Sequence, residues 1–488
     1  MLFPVSGLIL IPLTLAVYCC SSYLPEWAVF TAVLQGAALV NVGGGFAVGL
    51  SPYFFVVALI GTLVIPKWAS GRIRFMHQEP AAKHIQILAI FIIWCVFSAF
   101  ALPVLFEGVP VDSPRAGVDQ GYYIQSALHW TPSNMGQAGY MFLNFIMVMC
   151  LLQLAERPGR VSRVVSAFSW SGVFVAAVGS FQIACHRLGW PFPSWLFNSN
   201  EAWAQAPNQF IGMGFSRMSA TFVEPSDAAG FLGAWSVFEL SLAISGGRRN
   251  GWHWLWAAVG SVMLVETTST TGYVTAGVMW IVMACDCGAT LVRHGWIKVK
   301  ASMAVLALAA AALIALVTMP WAWLLLDAVL FNKGSTRSAL HRTSTFGRAV
   351  EVFQHSWGLG VGLGSNRAMS AFFYVLSNLG LPGTLLMVFL LVQLYSQVRQ
   401  RLSRPGIDPE ARGCLIALGG AFVANLIALG ASGAEITQPR LWILWGLILA
   451  AAREDWLAGR ASSRTCHSLH KSQVKASVQP DRSQLAHT

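Results

Sequence analysis

Charged residues are scarce in this chain, and their scarcity decides its broad class. Only 10% of the 488 residues are charged, whereas soluble domains carry about 25%. Hydrophobic residues make up 56% of the chain and recur in windows of about 17–25 residues, each long enough to cross a bilayer as a helix. The composition excludes an ordinary soluble domain and predicts an all-α, polytopic integral membrane protein.

Cysteine pairs and metal-ligand patterns are also missing. The 9 cysteines form no CxxC pair, and all but Cys466 lie in or beside apolar segments, so we expect no disulfide framework. Cys285 and Cys287 flank Asp286, but small apolar helix residues explain that spacing better than a metal site. The formal charge of +11 sits mostly in short loops, which is typical of membrane proteins and does not indicate nucleic-acid binding.

About twelve transmembrane helices are predicted from the apolar segments. Residues 27–40 are expected to be short or re-entrant, and a glycine-broken stretch follows at 42–52. The full spans are expected at residues 4–20, 52–66, 84–106, 136–154, 164–185, 226–245, 252–268, 271–291, 301–322, 371–396, 413–432 and 440–452. This membrane domain covers residues 1–455, and the polar tail 456–488 is expected to be cytoplasmic and disordered.

The basic residues divide unevenly between the two sides of this topology. When the spans alternate, 22 of the 31 Lys and Arg fall on one side, which the positive-inside tendency identifies as the cytoplasm. The outer side then carries three long loops, residues 107–135, 186–225 and 323–370. The second loop contains Trp190, Trp195 and Trp203, which are typical interface anchors; a sugar-stacking surface is the alternative interpretation.

The third outer loop is strongly cationic. It holds four arginines and two histidines, although arginine is normally depleted on the outer face: Arg337, Arg342, Arg348, Arg367, His341 and His355. A guanidinium binds phosphate through paired donors and stays charged at physiological pH. We therefore expect anion binding at the membrane surface, with Arg337 and Arg348 near one face if the loop is helical. His341 is a candidate acid or base, and a solvated basic loop is the alternative.

A second candidate cluster is the run RMSATFVEPSD, from Arg217 to Asp227. Pro225 followed by Ser and Asp predicts a helix start, where Asp227 would favour the positive end of the helix dipole. Arg217 and Glu224 at the mouth of a membrane helix are costly to bury without partners, which points to function. The structural alternative is an ion pair between the two.

Two further features lie near these clusters. The glycines at 358, 360, 362 and 364 are not followed by Lys-Ser/Thr, so they form no nucleotide-binding loop, and a tight turn or close helix approach explains them better. Glu266 and the polar run Thr267 to Thr271 are expected at an outer helix–helix turn that could line the same cavity.

Three patches together resemble the O-antigen polymerase and O-antigen ligase superfamily of bacterial envelope glycosyltransferases. They are R-x-S-x-T-F-x-E-P-S at Arg217 to Ser226, T-S-T-T-G at Thr268 to Gly272, and GVGLGSNR followed by L-x-N-L-G-L-P-G between Arg348 and Gly383. The resemblance implies about twelve helices and long periplasmic loops that form a cavity. It also implies a multi-pass protein of the bacterial inner membrane that takes a glycan from undecaprenyl pyrophosphate at the periplasmic face, with the lipid pyrophosphate leaving.

The resemblance also implies roles for individual residues. Arg217 corresponds to the first arginine that holds the pyrophosphate, and Arg342 or Arg348 to the second, with Arg337 and Arg367 as further pyrophosphate-binding candidates. Glu224 is the first candidate for a general base, because a carboxylate beside the acceptor hydroxyl could take its proton. Arg217, Glu224 and Arg348 are thus the catalytic candidates.

The implied partners are lipid-linked oligosaccharides, the bilayer, and proteins that regulate chain length or export the polymer. No cofactor or metal is needed, because the lipid carrier already activates the donor. Ligases usually carry a His-Asn pair where this chain has Ala368, Met369 and Ser370, which favours a polymerase of repeat units. A ligase or protein O-oligosaccharyltransferase shares this machinery and stays open. A glycan flippase or other transporter would need charges within the spans, of which Glu239 is the clearest, and a repeat of the two halves.

Overall fold

The computed structural model describes residues 2–42, 48–71, 79–112, 125–201, 210–211, 215–245, 250–279, 337–404, 406–432 and 436–457. Helices dominate this part of the chain: α1 (Val5–Cys19), α2 (Leu24–Thr31), α3 (Pro52–Ala69), α4 (Pro80–Leu105), α5 (Pro132–Leu154), α6 (Arg160–Leu188), α7 (Ser194–Phe197), α8 (Pro225–Ser245), α9 (Asn250–Glu266), α10 (270–279), α11 (Arg337–His355), α12 (Ala371–Leu402), α13 (Pro409–Ser432) and α14 (439–457). Three short antiparallel pairs join β1 (Val40–Val42) to β2 (Val48–Leu50), β3 (Pro110–Asp112) to β4 (Gln125–Ala127), and β5 (Phe210–Ile211) to β6 (Phe215–Ser216).

The prediction of an all-α membrane protein is confirmed for this part of the chain. Seven described helices are long and apolar enough to cross a membrane, or eight if the bent pair of α1 and α2 is one span. The predicted span 301–322, most of 271–291, and the tail beyond residue 457 lie outside the described residues. About twelve spans therefore stays a prediction.

The N-terminal region turns back on itself. The helical segments Val5–Cys19 and Ser21–Thr31 are bent by 110° at a short break, and α2 ends at Thr31. The following turn packs against the segment before α8, where the Gly36 amide donates to the Thr221 carbonyl at 3.0 Å. The expectation that residues 27–40 hold only a short helix agrees with this geometry.

Long-range polar contacts define two ends of the helix bundle. At one end, which we call the basic end, Arg453 forms ion pairs with Glu79 and Glu156. At the same end, Arg401 Nη1 lies 3.1 Å from Asp455 Oδ2. The opposite end, which we call the loop-rich end, carries the connections between α4 and α5, between α6 and α8, and between α11 and α12. The described parts of the three predicted outer loops share this end. The turn between α1 and α2 lies at the basic end, where Glu26 is 3.1 Å from the Arg163 guanidinium, so the alternation predicted with residues 27–40 as a short or re-entrant helix is wrong for that turn.

The centre of the bundle is formed largely by α14. Its residues 441–450 are all buried, which is expected for a helix that is apolar on every face. Trp442 and Trp445 stack with ring centroids 5.6 Å apart and are fully buried. The Trp445 indole nitrogen donates to His84 Nε2 at 2.9 Å, which ties α14 to α4.

A break in α12 accommodates the glycine loop, defined here as residues 358–366. Gly380 has φ 64° and ψ −164°, a backbone conformation that only glycine adopts readily. The amides of Val361 and Gly362 donate to the carbonyls of Ser377 and Asn378 at 3.0 and 2.9 Å. A Cβ at Gly380 would lie 2.2 Å from the carbonyl carbon of Leu359. The glycines thus serve close approach of two backbone segments, as the sequence indicated.

Candidate functional site

The segment that carries three of the loop arginines is the helix α11. It buries Thr345, Ala349 and Val352, which follow one another at intervals of one turn, and Ser356 is buried directly after its last residue. Arg337 and Arg348 are 11 residues apart, which is about 20° from three full turns, so they share one face of the helix. Arg342 is turned by about 140° from Arg337 and belongs to another face, whereas the position of His341 is turned by only about 20° from that of Arg348 and belongs to the shared face.

Arg348 is held by two residues of the β3–β4 pair. Its Nη1 lies 2.6 Å from Asp112 Oδ1, and the Asp112 side chain is only 2% exposed. Gln125 faces Asp112 across the two strands, and with its amide oxygen turned inward it accepts from Nη2 and Nε of Arg348 at 2.8 and 3.0 Å. The Arg348 side chain is still 30% exposed, so the guanidinium is oriented by acceptors and remains accessible.

The glycine loop joins Asp112 to α12. The Asp112 amide donates to Asn366 Oδ1 at 3.0 Å, and the Asp112 carbonyl accepts from the Arg367 amide at 3.0 Å. Asn378 Oδ1 in turn accepts from the amides of Ser365 and Asn366 at 3.1 and 2.9 Å. Arg367 is therefore fixed by its backbone beside the Asp112–Arg348 pair.

The N-terminal turn of α5 extends this network to the segment before α14. Asn134 Nδ2 donates to the Leu363 carbonyl at 2.8 Å and to Ser365 Oγ at 2.7 Å. One turn later, Gln137 Oε1 accepts from Thr437 Oγ1 at 2.8 Å. Thr437 is followed directly by Gln438, whose Nε2 donates to Asp227 Oδ1 at 3.0 Å.

These contacts form one continuous arrangement at the loop-rich end, which we call the polar layer: Asp112, Asn134, Gln137, Asp227, Arg348, Ser365, Asn366, Asn378, Thr437 and Gln438. The layer connects the segment around Arg348 with the start of α8, although the two are far apart in sequence. Pro225 begins α8, as predicted. Just before it, Glu224 Oε2 accepts from the Ser226 hydroxyl at 2.9 Å, so the candidate base lies at the edge of the layer.

Arg217 lies at the loop-rich ends of α6, α9 and α10. The chain there is fixed by Gln182, whose Oε1 accepts from the amides of Ser219 and Ala220 at 3.0 and 2.8 Å. The Met218 amide donates to the Glu266 carbonyl at 3.3 Å, and Glu266 and Arg217 both lie within electrostatic range of Tyr273. The predicted helix–helix turn at 267–269 is confirmed, and it does neighbour Arg217.

Several predicted residues lie away from the polar layer. His355 is exposed in the last turn of α11. Trp190 and Trp195 are 61% and 57% exposed beside the end of α6, as interface anchors would be, and Trp203 lies outside the described residues.

Two residues that shape the site are not among the candidates predicted from the sequence. Arg440, in the first turn of α14, donates from Nη1 to the Asp227 carbonyl at 2.7 Å and is buried. A cation in the first turn of a helix opposes the helix dipole, and this position was the available signal that Arg440 has a special partner. Gln125 carried no such signal.

Comparison of the chain with models of protein families and with curated proteins finds no match. The resemblance to the O-antigen polymerase and ligase superfamily therefore rests on the three sequence patches alone.

Proposed function

We propose that this chain is a glycosyltransferase of the bacterial inner membrane that polymerises oligosaccharide repeat units carried on undecaprenyl pyrophosphate. The polar layer is the observation that supports this proposal most. It gathers the region of Arg348 and the region of Glu224 at one end of an apolar helix bundle, where a lipid-linked donor could reach both. Synthesis of exopolysaccharide or O-antigen at the periplasmic face is the process that fits such a site.

The proposed reaction needs no group beyond those of the chain and its substrates. The acceptor hydroxyl oxygen attacks the anomeric carbon of the donor sugar, the bond from that carbon to the pyrophosphate oxygen breaks, and the lipid pyrophosphate leaves. Glu224 takes the hydroxyl proton as general base. Arg217 and Arg348 stabilise the charge that builds on the leaving pyrophosphate, with Arg337, Arg342 and Arg367 as further cationic groups.

Arg348 is suited to this role because it is oriented before any ligand arrives. A guanidinium has five N–H donors, and although Asp112 and Gln125 contact all three of its nitrogens, the Arg348 side chain is still 30% exposed. The exposed remainder can bind phosphate oxygens as a pair of donors. A lysine at this position would keep the charge and lose the paired geometry.

The test is deletion of the gene in cells that make a surface polysaccharide, followed by complementation. We expect the deletion to remove the polymer and to leave single repeat units on the carrier or on the surface. Arg217→Ala and Arg348→Lys should restore polymer at about 10²-fold lower yield than the unchanged chain. Arg401→Lys, which alters an arginine at the basic end, is the matched control and should restore it fully.

Three outcomes separate the proposal from its alternatives. Full-length polymer that stays on the lipid carrier in the deletion strain would indicate a ligase or a protein O-oligosaccharyltransferase. Full-length polymer from both arginine variants, with normal insertion, would contradict the pyrophosphate-binding roles. Normal glycans in the deletion strain would contradict the polymerase.

A transporter is the second candidate, and one contact between a buried carboxylate and a histidine favours it. Glu239 in α8 is fully buried, its Oε2 lies 2.7 Å from His253 Nδ1 in α9, and its Oε1 accepts from the Ser169 hydroxyl in α6. Ionisable groups buried within membrane helices often mark transport pathways. Normal glycans in the deletion strain, together with loss of solute uptake or export in Glu239→Gln, would support this candidate.

A further inference from the structure

A small cavity of about 20 Å³ lies at the loop-rich end between α2, α6, α8 and α14. Its walls include the aromatic rings of Phe168, Phe222 and Phe231, and its polar lining comes from Gln35, Gln438 and Arg440. The volume admits one or two groups the size of a water molecule. The cavity adjoins Asp227, three residues after the candidate base Glu224.

Two side chains in this lining have buried polar atoms that make no hydrogen bond to the described residues. The Arg440 side chain is only 7% exposed, and its Nη1 is used by the Asp227 carbonyl. Within the described part of the chain, Arg440 Nε and Nη2 donate no hydrogen bond, although Nη2 lies 3.5 Å from Asp227 Oδ1. Gln438 Nε2 donates to Asp227 Oδ1, and among the described residues no donor contacts the buried Gln438 Oε1.

Buried donors and acceptors without partners are unfavourable, so these atoms indicate that something else satisfies them. The charge of the cavity limits what that is. The guanidinium of Arg440 is balanced by the Asp227 carboxylate, and Glu224 lies within electrostatic range of Asp227. Since the local balance is not positive, a phosphate or carboxylate is disfavoured, and a neutral polar group is favoured.

A hydroxyl group meets both requirements. It accepts from Arg440 and donates to Gln438, because each hydroxyl has one donor hydrogen and two acceptor lone pairs. The aromatic walls suit the C–H surface beside such a group on a sugar ring. We propose that this cavity binds a hydroxyl-bearing edge of a neutral saccharide and so holds the acceptor oligosaccharide next to Glu224. The identity of that saccharide rests on the proposed function.

The test is direct binding by the full-length chain in lipid nanodiscs. The probe is the free oligosaccharide released by mild acid from the lipid carrier of the producing cells, and saturation-transfer NMR reports its contact with the protein. We expect Arg440→Lys and Gln438→Leu each to weaken binding at least 10-fold relative to the unchanged chain. Arg401→Lys, in the corresponding Arg–Asp contact at the basic end, should bind as the unchanged chain does.

Two variants are used because either substitution alone could impair folding, and thermal unfolding of each preparation identifies that case. Equal binding by the unchanged chain and by a folded variant of either residue would overturn the inference. Absence of binding by the unchanged chain would also overturn it and would leave the cavity as a site for structural water.

The saccharide site and the polymerase function can be refuted independently of each other. Loss of polymer in the deletion strain without oligosaccharide binding would refute the saccharide site and leave the polymerase standing. Binding that depends on Arg440, with polymer unchanged in the deletion strain, would support the site and refute the polymerase.

Discussion

Replacing Asp112 by alanine removes the carboxylate that orients Arg348 and leaves the backbone hydrogen bonds of residue 112 in place. Breaking a fully buried ion pair costs about 3–5 kcal/mol, because one charge is left unpaired. Arg348 is 30% exposed and keeps Gln125 as an acceptor, so water screens much of that loss. We therefore expect Asp112→Ala to lower the free energy of unfolding by about 1–2 kcal/mol.

The assay is a double-mutant cycle of Asp112→Ala and Arg348→Ala, with unfolding followed in dodecyl maltoside. The two losses should not add, and the coupling energy should be about 1–2 kcal/mol. The same cycle at Arg401 and Asp455 is the control, because Arg401 Nη1 lies 3.1 Å from Asp455 Oδ2 at the basic end. Substitutions in that pair should lower the free energy of unfolding and leave the yield of polymer unchanged. A coupling energy near zero between Asp112 and Arg348 would refute the view that the carboxylate holds the arginine.

Two further predictions concern the framework around the site. Gly362→Ala should cost at least about 1–2 kcal/mol of stability, because φ is +99° and a Cβ would lie 2.6 Å from a backbone oxygen of α4. Gly139→Ala in α5 has open space around it and should be neutral or stabilising by up to about 1 kcal/mol; equal melting temperatures for the two variants would contradict the steric argument. At the basic end, Glu79→Ala should cost about 3–5 kcal/mol, because the carboxylate is 1% exposed against a buried Arg453. Glu156→Ala, at 47% exposure, should cost less than about 1 kcal/mol in the same unfolding assay, and a loss as large as that of Glu79→Ala would refute the role of burial.

The helices were predictable because their signal is local. An apolar run long enough to cross a bilayer requires a helix that satisfies its own backbone, so the span expected at 226–245 is found at Pro225–Ser245. The glycine run was also interpretable, since glycine tolerates both positive φ and close backbone approach.

The break in α12 was not predictable in the same way. The sequence from 371 to 396 is apolar enough for one continuous span, and Pro382 alone does not locate the break. Gly380 takes its unusual conformation because the glycine loop, some twenty residues earlier, hydrogen-bonds across it. That pairing belongs to the tertiary structure and leaves no periodic pattern in the sequence.

The partners of the charged residues were the least predictable part of the site. Asp112 and Arg348 are 236 residues apart, and Asp227 and Arg440 are 213 apart. The sequence explains Asp227 through the dipole of its own helix alone, because a carboxylate in a first turn has a sufficient local explanation. Which arginine meets which carboxylate is decided by how the helices pack.

The order in which the chain is synthesised gives the central position of α14 a further consequence. Glu79 leaves the ribosome 374 residues before Arg453, its buried partner, and Gln137 leaves it 300 residues before Thr437. The earlier helices must therefore reach the membrane with an open cleft between them and with polar groups still in contact with water or lipid headgroups. Insertion of α14 closes that cleft, so maturation of the bundle is a late event in the biogenesis of the chain.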